Sequence, residues 1–287
     1  MKKKVTSIYW ISAAIVCLLC ASGHAQISGE FISFDVPGAI DMAPTSLTPD
    51  GKIVGLFTSA DGHQHGFLLS NGLYEIIDFP GSTETSARWI NPRGEIVGEY
   101  TDTAGKIHGY RLYKGQFTTF DYPGADSTTA FGVGANGDIV GPYTTVPFTF
   151  HGFLFGKGHF RTIDVPGAMW TLPTMIVGQR IVGGYFDFDF ISHGFLLEHG
   201  SFQEIACPGY SHVFLSGLNP LGDMTGGFNS SDGVLHGVLV KDGSCISIDF
   251  PGSTSTYANA EDPSGNIVGR YTDAVGKTHG FLLIRKR

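Results

Sequence analysis

The feature that most constrains the fold of this chain is an internal repeat of 43 residues. A His-Gly dipeptide recurs at positions 65, 108, 151, 193, 236 and 279, and a Pro-Gly dipeptide recurs at 37, 80, 123, 166, 208 and 251. Both series step by 43 residues, with a single step of 42. A period of this length is typical of solenoids and propellers, in which one supersecondary unit is copied and stacked.

Each repeat contains short runs of β-branched and aromatic residues between glycine turns, such as Ile-Val-Gly-Glu-Tyr at 96–100. Such runs predict strands, and no stretch shows the 3.6-residue period of a helix. Four strands in each of six repeats predict an all-β fold, a six-bladed β-propeller of four-stranded antiparallel blades. A β-solenoid is the architectural alternative.

The two ends of the chain favour the propeller. The last repeat stops after its third strand, and a spare fourth strand stands at 31–36. We expect this N-terminal strand to complete the last blade and so remove an open sheet edge, which a solenoid would not require. The predicted organisation is a signal peptide at 1–25, a short leader at 26–30 and one propeller domain at 31–287.

The N-terminus has the pattern of a secretory signal. Three lysines precede an apolar run from about residue 8 to 19, and small residues lead to Ala25. The run is too short for a membrane span, so we expect export to the periplasm or the cell exterior. Removal of 1–25 leaves a net charge of −11, which disfavours nucleic-acid and anionic-membrane partners. We expect a monomer.

Two cysteines, Cys207 and Cys245, remain after this cleavage. Export makes a disulfide chemically allowed. When the repeats are aligned, however, the two residues lie at different positions of neighbouring repeats. The sequence therefore favours two free, buried thiols that act as small apolar residues.

The histidine of each repeat is predicted to face an aspartate across the outer hairpin. In the first repeat, His65 and Asp78 are equidistant from Asn71-Gly72, a two-residue hairpin signal. The predicted pairs are His65–Asp78, His108–Asp121, His151–Asp164, His236–Asp249 and, across the chain ends, His279–Asp35. Equivalent pairs around one ring cannot all be active sites, so we interpret them as structural clasps. One histidine per blade does not converge on a metal, and we expect no metal and no cofactor.

The recurrent Gly-x-Ile-Val-Gly-x-Tyr followed by His-Gly-Phe-Leu resembles the bacterial extracellular HAF-repeat proteins, with glycine in place of their central alanine. The resemblance covers essentially all of the chain after the signal. It implies export and a repeat architecture, and it carries over no catalytic residue. A looser similarity to WD-repeat propellers is confined to the His–Asp pairs, because the Trp-Asp signature is missing.

Candidate ligand-binding residues lie where the repeats differ. Hairpins of blades three and four are aromatic, with Val-Pro-Phe-Thr-Phe at 146–150 and Phe-Asp-Phe-Asp-Phe at 186–190, and in blade four His193 faces Ala206. The candidates are Arg88, Trp89, Phe148, Phe150, Trp170, Phe188, His212, Tyr257 and Glu261. The alternatives are that the aromatic hairpins simply cover each other and that the remaining positions vary as loop ends do.

We therefore expect a non-catalytic binding module that takes a glycan or a protein ligand at the channel-mouth face. One alternative is a propeller hydrolase or lyase acting on an extracellular glycan, which requires paired carboxylates or an arginine cluster at the channel mouth. Another is a purely structural surface protein. No catalytic residue is assigned.

Overall fold

The computed structural model describes residues 4–5, 27, 29–146 and 148–285. These residues form six antiparallel sheets arranged as a six-bladed β-propeller, with no helix among them, and the predicted fold is confirmed.

From the innermost strand outward, blade 1 consists of Asp41–Leu47, Ile53–Thr58, Gln64–Ser70 and Leu73–Ile77. Blade 2 consists of Glu84–Ile90, Ile96–Thr101, Ile107–Tyr113 and Gln116–Phe120. Blade 3 consists of Ser127–Thr128 with Gly132–Val133, Ile139–Thr144, Phe150–Gly156 and His159–Ile163. Blade 4 consists of Trp170–Val177, Arg180–Phe186, Ser192–Glu198 and Ser201–Ile205, blade 5 of Ser211–Leu218, Met224–Asn229, Leu235–Lys241 and Ser244–Ile248, and blade 6 of Ser255–Glu261, Ile267–Thr272, Thr278–Ile284 and Glu30–Phe34.

The N-terminal strand closes the ring as predicted. Glu30–Phe34 pairs antiparallel with Thr278–Ile284 and becomes the outermost strand of blade 6. The predicted signal peptide lies outside the described residues except for Lys4–Val5, which pairs with the outer edge of blade 1. Within the described ranges, no helix is long and apolar enough to cross a membrane.

The outer hairpins have the register predicted from their turns. Asn71 and Gly72 both have positive φ, 51° and 73°, as a type I′ turn requires. This turn pairs Gly66 with Ile77 and therefore sets His65 opposite Asp78. The same Lys-Gly, His-Gly or Asp-Gly turn recurs in blades 2 to 5.

The channel wall is shaped by an irregularity in the inner strands. In five blades the register with the second strand skips one residue at the equivalent position, which is a β-bulge, and blade 5 has a second irregularity between Ser211 and Phe214. In blade 2 the skipped residue is Arg88, between Ala87 and Trp89. A bulge leaves this residue unpaired and redirects its side chain, so each blade presents one side chain outside the regular pattern.

The glycine of the Ile-Val-Gly motif is required by this bulge. At Gly98, a Cβ would collide with the carbonyl oxygen of Ser86 on the inner strand. Equivalent collisions, with the equivalent inner-strand carbonyl, occur in all six blades. The repeated glycine therefore permits the close backbone approach that the bulge creates.

The two cysteines form a disulfide, with their Cα atoms 5.7 Å apart, so the preference for free thiols was wrong. Cys207 follows the outermost strand of blade 4, and Cys245 lies in the outermost strand of blade 5. In blades 1 and 2 the same two positions are Phe79 and Phe117, whose rings are in edge contact at 5.1 Å. Positions in different repeat columns are thus neighbours across a blade boundary, and here a covalent bond replaces an aromatic contact.

Candidate functional site

The repeated histidines form clasps at the outer part of each blade. Their Nδ1 atoms hydrogen-bond the predicted carboxylates in the pairs His65–Asp78 at 2.8 Å, His108–Asp121 at 2.8 Å, His151–Asp164 at 2.8 Å, His236–Asp249 at 2.7 Å and His279–Asp35 at 2.9 Å. Each ring also packs against an aromatic side chain, as His108 stacks on Tyr100 at 5.0 Å. Phe79 of blade 1 covers the other face of Tyr100 at 3.6 Å, so the clasp joins adjacent blades.

In blade 4 a glutamate takes the place of the aspartate that pairs with the histidine in the other clasps. His193 stands opposite Ala206 in the register, yet its Nδ1 reaches Glu204 at 3.3 Å and its Nε2 reaches Asp187 at 3.0 Å. The hairpin register did not indicate Glu204, because this residue lies two positions before Ala206, the residue directly opposite the histidine.

The histidines offer no metal centre in the described parts of the chain. No group of three or more His, Cys, Asp or Glu side chains there is placed to hold a metal ion. In the His63-x-His65 pair, the first ring contacts Glu84 at 3.2 Å and the second contacts Asp78.

The channel contains a cavity of about 150 Å³. The bulge residues of five blades and Phe131, which stands at the equivalent position of blade 3, line it: Thr45, Arg88, Phe131, Thr174, Ser216 and Asn259. Trp89, Phe214, Tyr257 and Arg270 complete the wall. Arg270 and its pairing partner Tyr257 lie near the ends of their strands, on the side of the hairpins that join second and third strands. The cavity therefore lies toward the face that also carries the aromatic hairpins of blades 3 and 4.

Four of the bulge residues hold the ring together. Thr45 donates to the carbonyl oxygen of Ala87 in the next blade at 3.1 Å, and Thr174 and Ser216 make the equivalent bonds. Asn259 donates to Pro44 at 2.6 Å and so links the last blade to the first. These polar side chains are accounted for by blade-to-blade contacts.

The charged side chains that line the cavity are two arginines, one paired and one unpaired within the described residues. Arg88 makes a two-pronged ion pair with Glu99, with Nε 2.9 and 3.0 Å from the two carboxylate oxygens, and it packs over Phe131 at 5.4 Å. Burial opposes its charge, but the Glu99 carboxylate raises the pKa of Arg88. Arg270 lies over the Tyr257 ring at 4.7 Å, and no carboxylate among the described residues pairs with it. Burial lowers the pKa of Arg270, and the nearby Arg88 lowers it further.

At the rim, an aromatic cluster surrounds Trp170. Its indole ring makes edge contacts with Phe150 at 5.5 Å, Phe186 at 5.3 Å and Phe190 at 5.7 Å, and its Nε1 donates to the carbonyl oxygen of Phe148 at 2.7 Å. The hairpins of blades 3 and 4 thus cover Trp170 between them.

Three phenylalanines of these hairpins nevertheless remain open to solvent. Phe148 is 83% exposed, Phe188 73% and Phe190 60%. Phe148 and Phe190 also have left-handed backbones, with φ of 62° and 61°. The position is three residues before the repeat histidine, and the other four blades have glycine there, with φ of 82–89°: Gly62, Gly105, Gly233 and Gly276.

The aromatic rim continues into the channel. Phe186, which contacts Trp170, also packs against Phe214 at 6.2 Å, and Phe214 lines the cavity. Phe214 lies directly on Gly184, where a Cβ would collide with its ring. The wall of the channel and the exposed hairpins therefore form one connected aromatic surface.

The nine candidate residues divide among four places. Arg88, Trp89 and Tyr257 line the channel cavity, and Phe148, Phe150, Trp170 and Phe188 lie on or beside the aromatic hairpins. His212 lines a separate groove of about 230 Å³ between blades 4 and 5. Glu261 lies at the opposite end of the inner strand from Tyr257, four residues or about 13 Å away, where it binds Arg285 at 3.1 Å and Asn219 at 2.7 Å.

Sequence analysis missed Arg270 and Phe190, although the repeat contains a signal for both. Arg270 is the variable residue of Ile-Val-Gly-x-Tyr, a position held by Leu56, Glu99, Pro142, Gly184 and Gly227 in the other blades. Phe190 stands in the column that is otherwise glycine in four blades. Arg270 is thus marked by a position that varies among the repeats, and Phe190 by its departure from a glycine that four repeats share.

No protein-family model and no curated protein sequence matches the chain. Among solved structures, the fold is similar to the fucose-specific lectin of Aleuria aurantia, with 13% identity over 86% of this chain and 92% of that chain and a TM-score of 0.53. A mutant of the same lectin bound to Fucα1-6GlcNAc gives 11% identity over 85% of this chain and 91% of that chain and a TM-score of 0.55. AofleA from Arthrobotrys oligospora gives 12% identity over 89% and 86% and a TM-score of 0.54. At these identities the likeness is one of fold.

Proposed function

We propose that this protein is an exported, non-catalytic glycan-binding module, and that its binding surface is the aromatic hairpin pair of blades 3 and 4 next to the channel mouth. The observation that carries the proposal is the presence of Phe148 and Phe190 at a left-handed position that four other blades fill with glycine. The six-bladed lectins with the same fold bind fucose-containing sugars, which supports a sugar as the ligand class.

The backbone energetics argue that these phenylalanines serve a ligand. An L-residue in the left-handed region costs about 1–2 kcal/mol relative to glycine. The cost is not recovered by burial at Phe148, whose side chain is 83% exposed. Strained positions of this kind persist where function requires the side chain.

The surroundings suit a sugar better than an extended apolar partner. The exposed rings alternate with polar residues, since Asp187 and Asp189 separate Phe186, Phe188 and Phe190. An apolar body with polar groups at its edge is the combination that orients a small polar ligand.

The cavity offers no pair of carboxylates for glycoside hydrolysis. None of the ten residues that line it is acidic, and the adjacent Glu99 is held by Arg88. A hydrolase needs two carboxyl groups flanking the scissile bond. The cavity lining therefore lacks the carboxylate pair of a glycoside hydrolase, which favours binding over hydrolysis.

A glycan array with the full-length protein and the F148G/F190G variant tests the proposal. Glycine is the residue of the other blades at these positions, so the variant retains the hairpin geometry. We expect wild-type binding and a loss of at least about tenfold in the variant. The matched control is V275A, which removes an 88% exposed apolar side chain from the equivalent hairpin of blade 6, and its binding should equal that of the wild type.

Two outcomes contradict the proposal. If the wild type binds no glycan but retains a protein in parallel binding assays through the same two phenylalanines, the surface is a protein-docking site. If F148G/F190G and V275A both bind glycans as the wild type does, the aromatic hairpins are not the binding surface.

A further inference from the structure

Arg270 is the least satisfied charged group of the channel. Its guanidinium borders the cavity and lies over Tyr257 at 4.7 Å, and within the described residues it has no carboxylate partner. Arg270 is half-buried, and guanidinium groups that are withdrawn from bulk water are normally paired. Arg270 therefore has an unused set of hydrogen-bond donors facing the cavity.

Arg88 provides the internal comparison. It borders the same cavity, but Glu99 occupies its Nε and Nη2 donors. The pair is neutral overall, so the charged side chains around the cavity sum to one positive charge, that of Arg270. The net charge of the whole chain is −8. The positive charge of Arg270 is therefore a local feature of the channel.

The remaining wall favours a small ring-shaped ligand. Trp89, Phe131, Phe214 and Tyr257 supply aromatic surface, whereas the hydroxyl and amide groups of the bulge residues already bind backbone carbonyls. The cavity of about 150 Å³ is smaller than the ~300–1,000 Å³ of pockets for drug-sized ligands. It has room for one compact unit with a single negative charge.

We propose that the channel cavity binds a uronic acid unit of the glycan, and that the Arg270 guanidinium anchors its carboxylate. This inference rests on the proposed function and names the chemical class of its ligand. A planar guanidinium and a carboxylate match in shape and form two parallel hydrogen bonds. The sugar ring is then placed against Phe214, and through Phe186 the site continues to the exposed hairpins.

Calorimetric titration of the full-length protein with monosaccharides tests the anchor. The ligands are D-galacturonate and D-glucuronate, with D-galactose and D-glucose as their uncharged parents and acetate as a carboxylate without a sugar. We expect at least one uronate to bind at least about tenfold more tightly than its parent and than acetate, a difference of about 1.4 kcal/mol. In R270Q this uronate should lose at least about tenfold in affinity.

R161Q is the control variant, because Arg161 is exposed on the outermost strand of blade 3. Its uronate affinity should equal that of the wild type. The melting temperature of R270Q should not fall, since the substitution removes an unpaired charge. A fall in melting temperature together with unchanged uronate affinity would mean that Arg270 is structural, and the proposal would be overturned.

The remaining outcomes separate this inference from the proposed function. Equal binding of uronates and uncharged parents, unaffected by R270Q, overturns the carboxylate site but leaves glycan binding through Phe148 and Phe190 intact. Acetate bound as tightly as the uronates overturns the assignment to a sugar. If neither the array nor the titration detects any sugar, both the inference and the proposed function fail.

Discussion

The outer part of the propeller and its channel use the same repeat in opposite ways. At the outside, each blade forms the same clasp of histidine, carboxylate and aromatic ring, and even blade 4, which lacks the aspartate, restores it with Glu204. In the channel, the bulge presents a different side chain in nearly every blade. Positions that keep the repeated residue types form contacts between blades. Phe148, Phe190 and Arg270 depart from the other repeats with no compensating change, and they place on the surface or in the channel side chains that the scaffold does not require.

The largest expected effect concerns the one covalent contact of the outer part, between blades 4 and 5. Cys207 and Cys245 are separated by 38 residues, and cross-linking a loop of this length restricts the unfolded chain by about 3–4 kcal/mol. We expect C207S/C245S to lower the free energy of unfolding by roughly this amount in urea denaturation. Unchanged denaturation of the variant or of the reduced protein would contradict the disulfide.

The clasps should differ in strength according to their surroundings. The His108 side chain is 14% exposed and contacts Asp121 and Asp102, whereas the His151 side chain is 35% exposed and contacts Asp164 alone. We expect H108A to cost about 2–3 kcal/mol and H151A about 1 kcal/mol, both measured by denaturation. Equal costs, or a loss of glycan binding without a loss of stability, would contradict the structural role of the clasps.

Glu261 is an acidic residue at a strand end that is apolar in other blades, and its titration should make the stability of the protein depend on pH. It occupies the strand end where blades 1, 2 and 5 have Leu47, Ile90 and Leu218. Burial, with the nearby Asp223 carboxylate, raises the pKa of Glu261 to about 7. Because the folded-state pKa lies above the unfolded value of 4.5, the folded protein binds more protons between these values, and its stability falls as pH rises through this window.

Replacing Glu261 should therefore remove part of the pH dependence. We expect E261Q to gain stability relative to the wild type as pH rises from 5 to 8, by on the order of 2 kcal/mol. Denaturation of both proteins at each pH measures the difference, and other titrating groups cancel in it. A constant difference between the two proteins across this range would show that Glu261 titrates outside it.

Much of the scaffold can be predicted from the sequence, because the turn residues that recur in every repeat fix the strand bounds, the hairpin turns and the closure of the ring. The Asn-Gly turn at 71–72 determined which residue faces His65, and the spare strand predicted the completed sixth blade. The disulfide was not predictable from repeat columns, since adjacent blades bring different columns into contact. Arg270 lies inside a strand motif, on the second strand of its blade, and the sequence of one repeat does not show that this position borders the channel.

The smallest expected effects test the strained hairpins by reciprocal exchange. Gly233 in blade 5 is the counterpart of Phe148, has φ of 82°, and has no atom within 4 Å of where a Cβ would lie. Since there is room for a side chain, G233F should cost only the backbone strain, about 1–2 kcal/mol.

In the opposite direction, F148G removes this strain but makes the unfolded chain more flexible, which offsets part of the gain. We expect F148G to unfold at equal or higher denaturant concentration than the wild type, with a gain of at most about 1 kcal/mol. F190G should gain less, because Phe190 also contacts Trp170 at 5.7 Å. If F148G is instead less stable than the wild type, Phe148 supports the fold, and the hairpins of blades 3 and 4 differ from the others for a structural reason.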